Sequence, residues 1–310
     1  MTAAMQENAD RFYPSAQEVD DWCNAICART DAVTVQGEEL SINNITPPFG
    51  NGPNARVNTY VRFTASDGRR VFYGYLQRAI SGPAPLLINL PGYGGCMNLH
   101  PQISDMGYTV LHISPLGYIT PDGEDKSLQD ENGNYPVLMH TAQNQAGGYA
   151  DFLSDCLLAI RWASALPDVY ADRISLYGTS QGGGTALLLA SVLNSKVRCV
   201  CADLPFLTSF ALSGLAGDAY GLLQPVQQAM PAAAFWHNIG FADTLSHAHR
   251  ITVPTMLSCG GKDDVCPPCT VNALFDALTC TKQLSVLNHV VHGHSRESMF
   301  LFSAWLRMFA

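Results

Sequence analysis

Along the chain, short apolar runs of strand length alternate with longer stretches of helical periodicity. Up to about residue 45 the pattern reads as helical and polar, with Trp22, Cys23, Ile26 and Cys27 on one face. The breakers Pro47-Pro48 and Gly50-Asn51-Gly52-Pro53 end it. Two period-two runs, Thr59 to Thr64 and Arg70 to Leu76, flank Ser66-Asp67-Gly68 and predict an antiparallel hairpin. Pro85 to Leu90 and Tyr108 to Ile113 are continuous apolar runs that predict neighbouring buried parallel strands. A turn-rich loop, Pro115 to Asn144, leads to an amphipathic helix from about Ala146 to Leu166, whose buried face is Tyr149, Phe152, Cys156, Ile160 and Ala163. Strand then helix recur over Arg173 to Tyr177 and Gly183 to Ala190, and Val197 to Asp203 adds another strand.

From Asp203 to about His249 the alternation breaks into a stretch rich in Ala, Gly, aromatic residues and Pro, which reads as a helical insertion over the active site. The pattern resumes with strands at Thr255 to Cys259 and Gln283 to Leu287, and helices from about Thr270 to Leu278 and over Glu297 to Met308. This order predicts an α/β fold with a mostly parallel central sheet and helices on both faces. No linker, repeat or low-complexity tract interrupts it. The expected organisation is an N-terminal helical extension over 1–54 and one catalytic domain over 55–310, with the insertion at about 204–249.

Charge changes the picture by exclusion. The 310 residues carry a net charge of −9, only 14% are charged, and no basic run is present. An electrostatic footprint for nucleic acid or an anionic membrane is therefore missing, and a small neutral molecule is the expected partner. The first ten residues have neither a basic flank nor an apolar core, so no secretion signal is read there. No apolar stretch is long enough to span a bilayer. The ten cysteines then read as reduced thiols of a cytoplasmic protein.

The chemistry is carried by Gly178-Thr179-Ser180-Gln181-Gly182, which falls between the strand at 173–177 and the helix at 183–190. Strand before and helix after give Gly-x-Ser-x-Gly the context of a nucleophile elbow, as in the α/β-hydrolase fold. A serine hydroxyl needs a base within reach and a carboxylate to orient that base. In this fold the chain order is serine, acid, histidine. The acid falls in Gly260-Gly261-Lys262-Asp263-Asp264, where spacing leaves Asp263 and Asp264 open. The base falls after the last strand, where His294 follows a glycine just before the final helix, with His289 and His292 as rivals. An oxyanion hole requires two backbone N–H donors. Gln181 follows the nucleophile, and Tyr93 in Pro91-Gly92-Tyr93-Gly94-Gly95 is the expected second donor.

Several segments together resemble the acetyl xylan esterase and cephalosporin C deacetylase family of α/β-hydrolases. They are Gly178 to Gly184, Asp203-Leu204-Pro205-Phe206, Phe241-Ala242-Asp243-Thr244-Leu245, Ala248 to Pro254, and Asp263-Asp264-Val265-Cys266-Pro267-Pro268. The likeness runs over roughly 55–310 and is dense in the last third. By position it implies Ser180 as nucleophile, Asp263 as acid, His294 as base and Tyr93 as the tyrosine of the oxyanion loop. It also implies removal of acetyl groups from sugars or related small esters and assembly of several copies, while the serine site itself is expected to work without a cofactor or metal. The chain departs from the family at two signatures: Leu116-Gly117-Tyr118 replaces Arg-Gly-Gln, and His294-Ser295 replaces His-Glu.

Other signals have plainer readings. Cys266-Pro267-Pro268-Cys269 has dithiol spacing but lies after the acid loop rather than in a thioredoxin-like unit. His247, His249 and the 289–294 histidines lack a carboxylate or cysteine at ligand spacing on a defined element. Phe206, Phe210, Phe235 and Trp236 lie in the insertion, and Phe206 and Trp236 are the expected walls of an acyl or sugar pocket. A peptidase or thioesterase with the same triad, or a non-catalytic receptor that keeps the pocket, are the alternative functions.

Overall fold

The computed structural model describes residues 3–40, 58–95, 97, 101–293 and 295–310. A large sheet is built from β1 (Val35–Leu40), β2 (Asn58–Ala65), β3 (Phe72–Gln77), β4 (Ala84–Leu90) and β5 (Thr109–Ser114). A small ribbon of β6 (Ile119–Thr120) and β7 (Gly123–Glu124) follows. The large sheet then continues through β8 (Val169–Thr179), β9 (Cys199–Asp203), β10 (Thr255–Gly260) and β11 (Lys282–Leu287). Its order is β1-β2-β3-β5-β4-β8-β9-β10-β11. The first four in that order pair antiparallel, and β5 through β11 pair parallel. The arrangement is that of an α/β-hydrolase.

The expected hairpin forms between β2 and β3, with Phe63 opposite Phe72 and the turn Gly68 at φ 76°. The expected extension is helical only in part. Helices Ala3–Phe12 and Ala16–Asp31 form, but Val35–Leu40 is the sheet's edge strand and pairs with β2. Alternating partial burial and exposure in that segment is the strand period, and Gly37 lies where any Cβ would be 2.4 Å from the Trp162 ring. The breakers at 47–53 lie outside the described residues.

The parallel strands are sandwiched because their side chains are apolar on both faces. The helix Tyr149–Ser164 packs Phe152, Cys156, Ile160 and Ala163 into the main core, and the helix Gln181–Leu193 is buried along nearly its whole length. On the opposite face, Phe302, Trp305 and Leu306 of the last helix, Arg296–Phe309, pack with Leu87, Val110 and Tyr177. Val19, Cys23 and Ile26 of the helix Ala16–Asp31 are buried in the main core, so this extension covers one face of the domain.

Between β9 and β10 the chain forms a set of short helices, including Ala232–Gly240. One buried carboxylate fastens it. Asp243 accepts N–H bonds from Ser209 at 2.7 Å, Phe210 at 2.8 Å and Leu245 at 3.0 Å, and the Tyr13 hydroxyl donates to it at 2.8 Å. Burial raises the Asp243 pKa even though these donors oppose the shift. Among the described residues no helix is long and apolar enough to cross a membrane.

A hydrogen bond to a buried charged group contributes about 1.5–3 kcal/mol. Tyr13→Phe should therefore lower unfolding stability by about 2 kcal/mol. Urea denaturation checks this, and an unchanged midpoint and slope would show that Asp243 does not need its tie to the N-terminal helices.

Candidate active site

Ser180 stands between β8 and the helix Gln181–Leu193 with φ 58° and ψ −122°. A non-glycine residue there is strained, at a cost of about 1–3 kcal/mol. The surroundings hold it: the Ser180 N–H donates to the Asp203 carbonyl at 2.8 Å, and the Phe206 N–H donates to the Ser180 carbonyl at 2.9 Å. The flanking glycines follow from space. A Cβ on Gly178 would lie 2.3 Å from Gly182 backbone atoms, one on Gly182 would lie 2.3 Å from the Leu90 carbonyl oxygen, and one on Gly184 would lie 2.0 Å from that of Phe206. Strand, helix and the end of β4 thus approach more closely than any side chain allows.

The base arrives from the loop after β11. Gly260 and Gly261 let that loop lie against the end of β10, since a Cβ on either would strike Val290 or Asn288 backbone. The Gly261 N–H donates to the Leu287 carbonyl at 2.9 Å, and the Lys262 N–H donates to that of Val290 at 3.0 Å. This pairing ties residue 290 to the acid loop one residue before Asp263. His292, two residues on, reaches both partners: Nε2 is 2.9 Å from Ser180 Oγ, and Nδ1 is 2.9 Å from Asp263 Oδ2. With Nδ1–H donating to the carboxylate, Nε2 is left to accept the serine proton.

Loop position and the family resemblance point to His294 for this role. His294 lies outside the described residues, and among the described residues the histidine in hydrogen-bond reach of Ser180 and Asp263 is His292. The close approach at Gly260-Gly261 and the Lys262–Val290 hydrogen bond hold the loop so that His292 is the histidine beside Ser180 and Asp263 among the described residues. His289 is exposed, 3.8 Å from the Glu297 carboxylate.

Asp263 is the aspartate that meets the imidazole. Its side chain is fully buried, and Oδ1 accepts the N–H groups of Val265 at 3.0 Å and Cys266 at 2.8 Å. Asp264 is exposed. The thiol of Cys266 is buried, and burial followed by the nearby Asp263 charge pushes its pKa well up, which makes it an inert thiol. Cys269 is exposed, and no disulfide joins the two.

Gln181 is the first residue of its helix, so its N–H has no partner in the helical ladder. Tyr93 opens the turn Tyr93–Gly95 after β4, in which Gly94 and Gly95 take φ 79° and 77°. Because β4 and β8 are neighbours, with Leu90 opposite Gly178, the two residues follow adjacent strand ends. The Tyr93 ring is partly exposed, and its hydroxyl donates to Asn134 Oδ1 at 3.2 Å.

The loop behind this turn is braced from below. Leu116 has φ 59°, and its N–H donates to Asp155 Oδ2 at 2.9 Å while Arg69 Nη1 donates to Asp155 Oδ1 at 2.8 Å. Tyr118 stacks on Tyr135 at 4.1 Å, and both Tyr118 and Ser114 lie against Gly95. Leu116-Gly117-Tyr118, where the family signature differs, is therefore held by an arginine from the β2–β3 hairpin.

The two expected pocket walls are not at an open surface. Phe206 is buried, edge-on to Tyr220 at 4.7 Å, and Trp236 is buried between Phe235 and Tyr13. Both side chains belong to the core, which corrects their assignment as substrate walls. Phe206 serves the elbow through its backbone N–H instead. Gly260-Gly261, Arg69 and Asp155 carry no functional motif in the sequence; only the double glycine beside the acid signals the first of them.

A model of the acetyl xylan esterase family matches residues 51–303. The chain belongs to the acetyl xylan esterase family. This is a family of carboxylic ester hydrolases. The acetyl esterase Axe7A of Xylanibacter ruminicola is 25% identical over 263 residues, covering 80% of this chain and 58% of that protein. The chain thus spans little more than half the length of that relative. The fold is similar to acetyl xylan esterase 1 of Thermoanaerobacterium sp. JW/SL YS485, with a TM-score of 0.77, 20% identity and coverage of 99% and 98% of the two chains. It is also similar to the acetyl xylan esterase of Paenibacillus sp. R4, with a TM-score of 0.75, 20% identity and full coverage of both, at 100%. The acylaminoacyl peptidase of Pyrococcus horikoshii shares the fold at a TM-score of 0.60 and 16% identity, over 80% of this chain and 40% of that one.

Burial, the largest influence on Asp155, raises its pKa to about 6 against the opposing bonds from Arg69 and Leu116. An unfolded aspartate titrates near 4. A carboxyl with a raised folded pKa contributes most below its unfolded value and loses that contribution as pH rises through the folded one. The stability of the parent relative to Asp155→Asn should therefore fall between pH of about 4 and about 6, by about 3 kcal/mol. Urea titrations across this window test it; a difference that is flat or rises with pH contradicts it.

Proposed function

We propose that this enzyme hydrolyses carboxylic esters with short acyl groups, acetyl foremost, on a sugar or other small alcohol through an acyl-enzyme on Ser180. The observation that carries the reading is the continuous hydrogen-bond chain from Ser180 Oγ through His292 to Asp263. Ser180 Oγ attacks the ester carbonyl while His292 Nε2 takes its proton. The imidazolium that forms is stabilised by the buried Asp263 carboxylate and then protonates the departing alcohol. Water, deprotonated by His292, attacks the acyl-enzyme and releases the acid and free Ser180. The N–H groups of Gln181 and Tyr93 are the donors for the two oxyanions, with each such donor contributing about 3 kcal/mol in related systems. Family membership and the acetyl esterase relative support acetyl as the acyl group transferred to Ser180 and released as acetate. The likeness to acylaminoacyl peptidase is one of fold, so amide hydrolysis is the outcome to test against rather than the favoured activity.

Ser180→Ala and His292→Ala should each lower kcat on p-nitrophenyl acetate by about 10⁴-fold or more, with KM changed far less. His294→Ala should keep turnover within a few-fold of the parent. Loss in His294→Ala with retention in His292→Ala would return the base to His294. Extending the acyl chain from acetyl to octanoyl should reduce kcat/KM, whereas a rising series, or faster turnover of an acetyl p-nitroanilide, would overturn the short-ester assignment.

A further inference from the structure

Two buried polar atoms close to the nucleophile have no hydrogen-bond partner among the described residues: the Tyr149 hydroxyl and Gln181 Oε1. They belong to neighbouring helices, since Tyr149 opens Tyr149–Ser164 and Gln181 opens Gln181–Leu193. Burial, the largest influence, raises the Tyr149 pKa above the usual tyrosine value, and the side chains of Thr185 and Gln181 lie near enough to the hydroxyl to oppose that rise. Neither is hydrogen-bonded to it. The hydroxyl therefore keeps its proton, and a donor faces an acceptor without meeting it.

Both residues are anchored. The Tyr149 side chain is fully buried with its ring against Phe152 at 5.3 Å, and its N–H donates to Thr141 Oγ1 at 2.8 Å. Gln181 is buried, and its carbonyl accepts the Thr185 hydroxyl at 2.8 Å. The unmade bond is thus a feature of two packed helices and not of a ring free to turn away. An unpaired buried polar group is costly, and native structures keep few of them. Here the cost falls on the residue whose own N–H is the donor assigned to the oxyanion.

A donor of that kind has to be held where the charge will develop before it forms. Hydrogen bonds that serve catalysis are often long or misaligned in the resting enzyme and close in the transition state. We propose that Tyr149 is a positioning residue of the oxyanion hole, its hydroxyl donating to Gln181 Oε1 when the Gln181 N–H engages the oxyanion. A bond made in the transition state alone raises kcat and leaves KM where it was. The inference rests on the reading of Ser180 as nucleophile and Gln181 N–H as oxyanion donor, and it adds Tyr149 to that site.

The test is a double-mutant cycle on the full-length protein with p-nitrophenyl acetate as substrate and an alkyl boronic acid as mimic of the tetrahedral intermediate. Tyr149→Phe should lower kcat about tenfold and weaken the boronic acid by the same factor, with KM changed by less than about twofold. Its urea midpoint should be no lower than the parent's, because the hydroxyl removed has no bond in the resting enzyme. Gln181→Met keeps the backbone N–H and removes Oε1, so it should show the same loss of kcat. The double variant should lose no more than either single one. An unchanged kcat in Tyr149→Phe overturns the proposal, as do losses that multiply in the double variant. A lowered midpoint with kcat intact marks a purely structural tyrosine and overturns it too. Full turnover in Ser180→Ala would instead remove the reading on which it rests, whereas an inactive Ser180→Ala beside a fully active Tyr149→Phe would remove the role of Tyr149 alone.

Discussion

The whole site depends on keeping Ser180 in a positive-φ backbone conformation that an isolated chain would leave at once. Two backbone hydrogen bonds, to Asp203 and from Phe206, clamp the residue from neighbouring segments, and the fully buried helix behind it cannot relax without opening the core. The strain of about 1–3 kcal/mol is offset by apolar burial around Leu187, Leu188 and Leu189, each worth about 1.5–3 kcal/mol on burial. The consequence is a hydroxyl fixed at the end of β8 and a helix whose first N–H points out of the ladder.

The other groups converge because parallel strands deliver all their carboxyl ends to one edge. Tyr93 follows β4, Ser180 follows β8, Asp263 follows β10 and His292 follows β11. Strand order alone brings them near, and close backbone contact completes the alignment. Gly260 and Gly261 let the acid and base loops touch, after which the N–H groups of Val265 and Cys266 orient the Asp263 carboxylate toward the imidazole. The same reasoning explains the hairpin arginine: Arg69 crosses to the buried Asp155, which holds Leu116 and so supports the loop against which Gly95 packs.

Much of this was legible in the sequence. The parallel strands announce themselves as unbroken apolar runs, and the elbow does so because its glycines have steric reasons that no other residue satisfies. Strand β1 was not legible, since Gln36, Glu38 and Glu39 give an edge strand the polarity of an exposed helix and only pairing with β2 decides it. The base was ambiguous because three histidines share one loop, and which of them reaches Ser180 depends on a single backbone pairing, Lys262 to Val290. Phe206 and Trp236 were misread because aromatic side chains in an insertion look alike from sequence whether they wall a pocket or fill a core. Here they fill it, Phe206 edge-on to Tyr220 and Trp236 edge-on to Phe235 and tilted against Tyr13.

The central claim, that Ser180 is a nucleophile activated by His292, is tested most directly by peptide mapping after reaction with a fluorophosphonate. The expected result is a single phosphonyl adduct on Ser180, formed at the parent rate in His294→Ala and slowed by orders of magnitude in His292→Ala. An adduct on another residue, or labelling of Ser180 indifferent to His292, would contradict it.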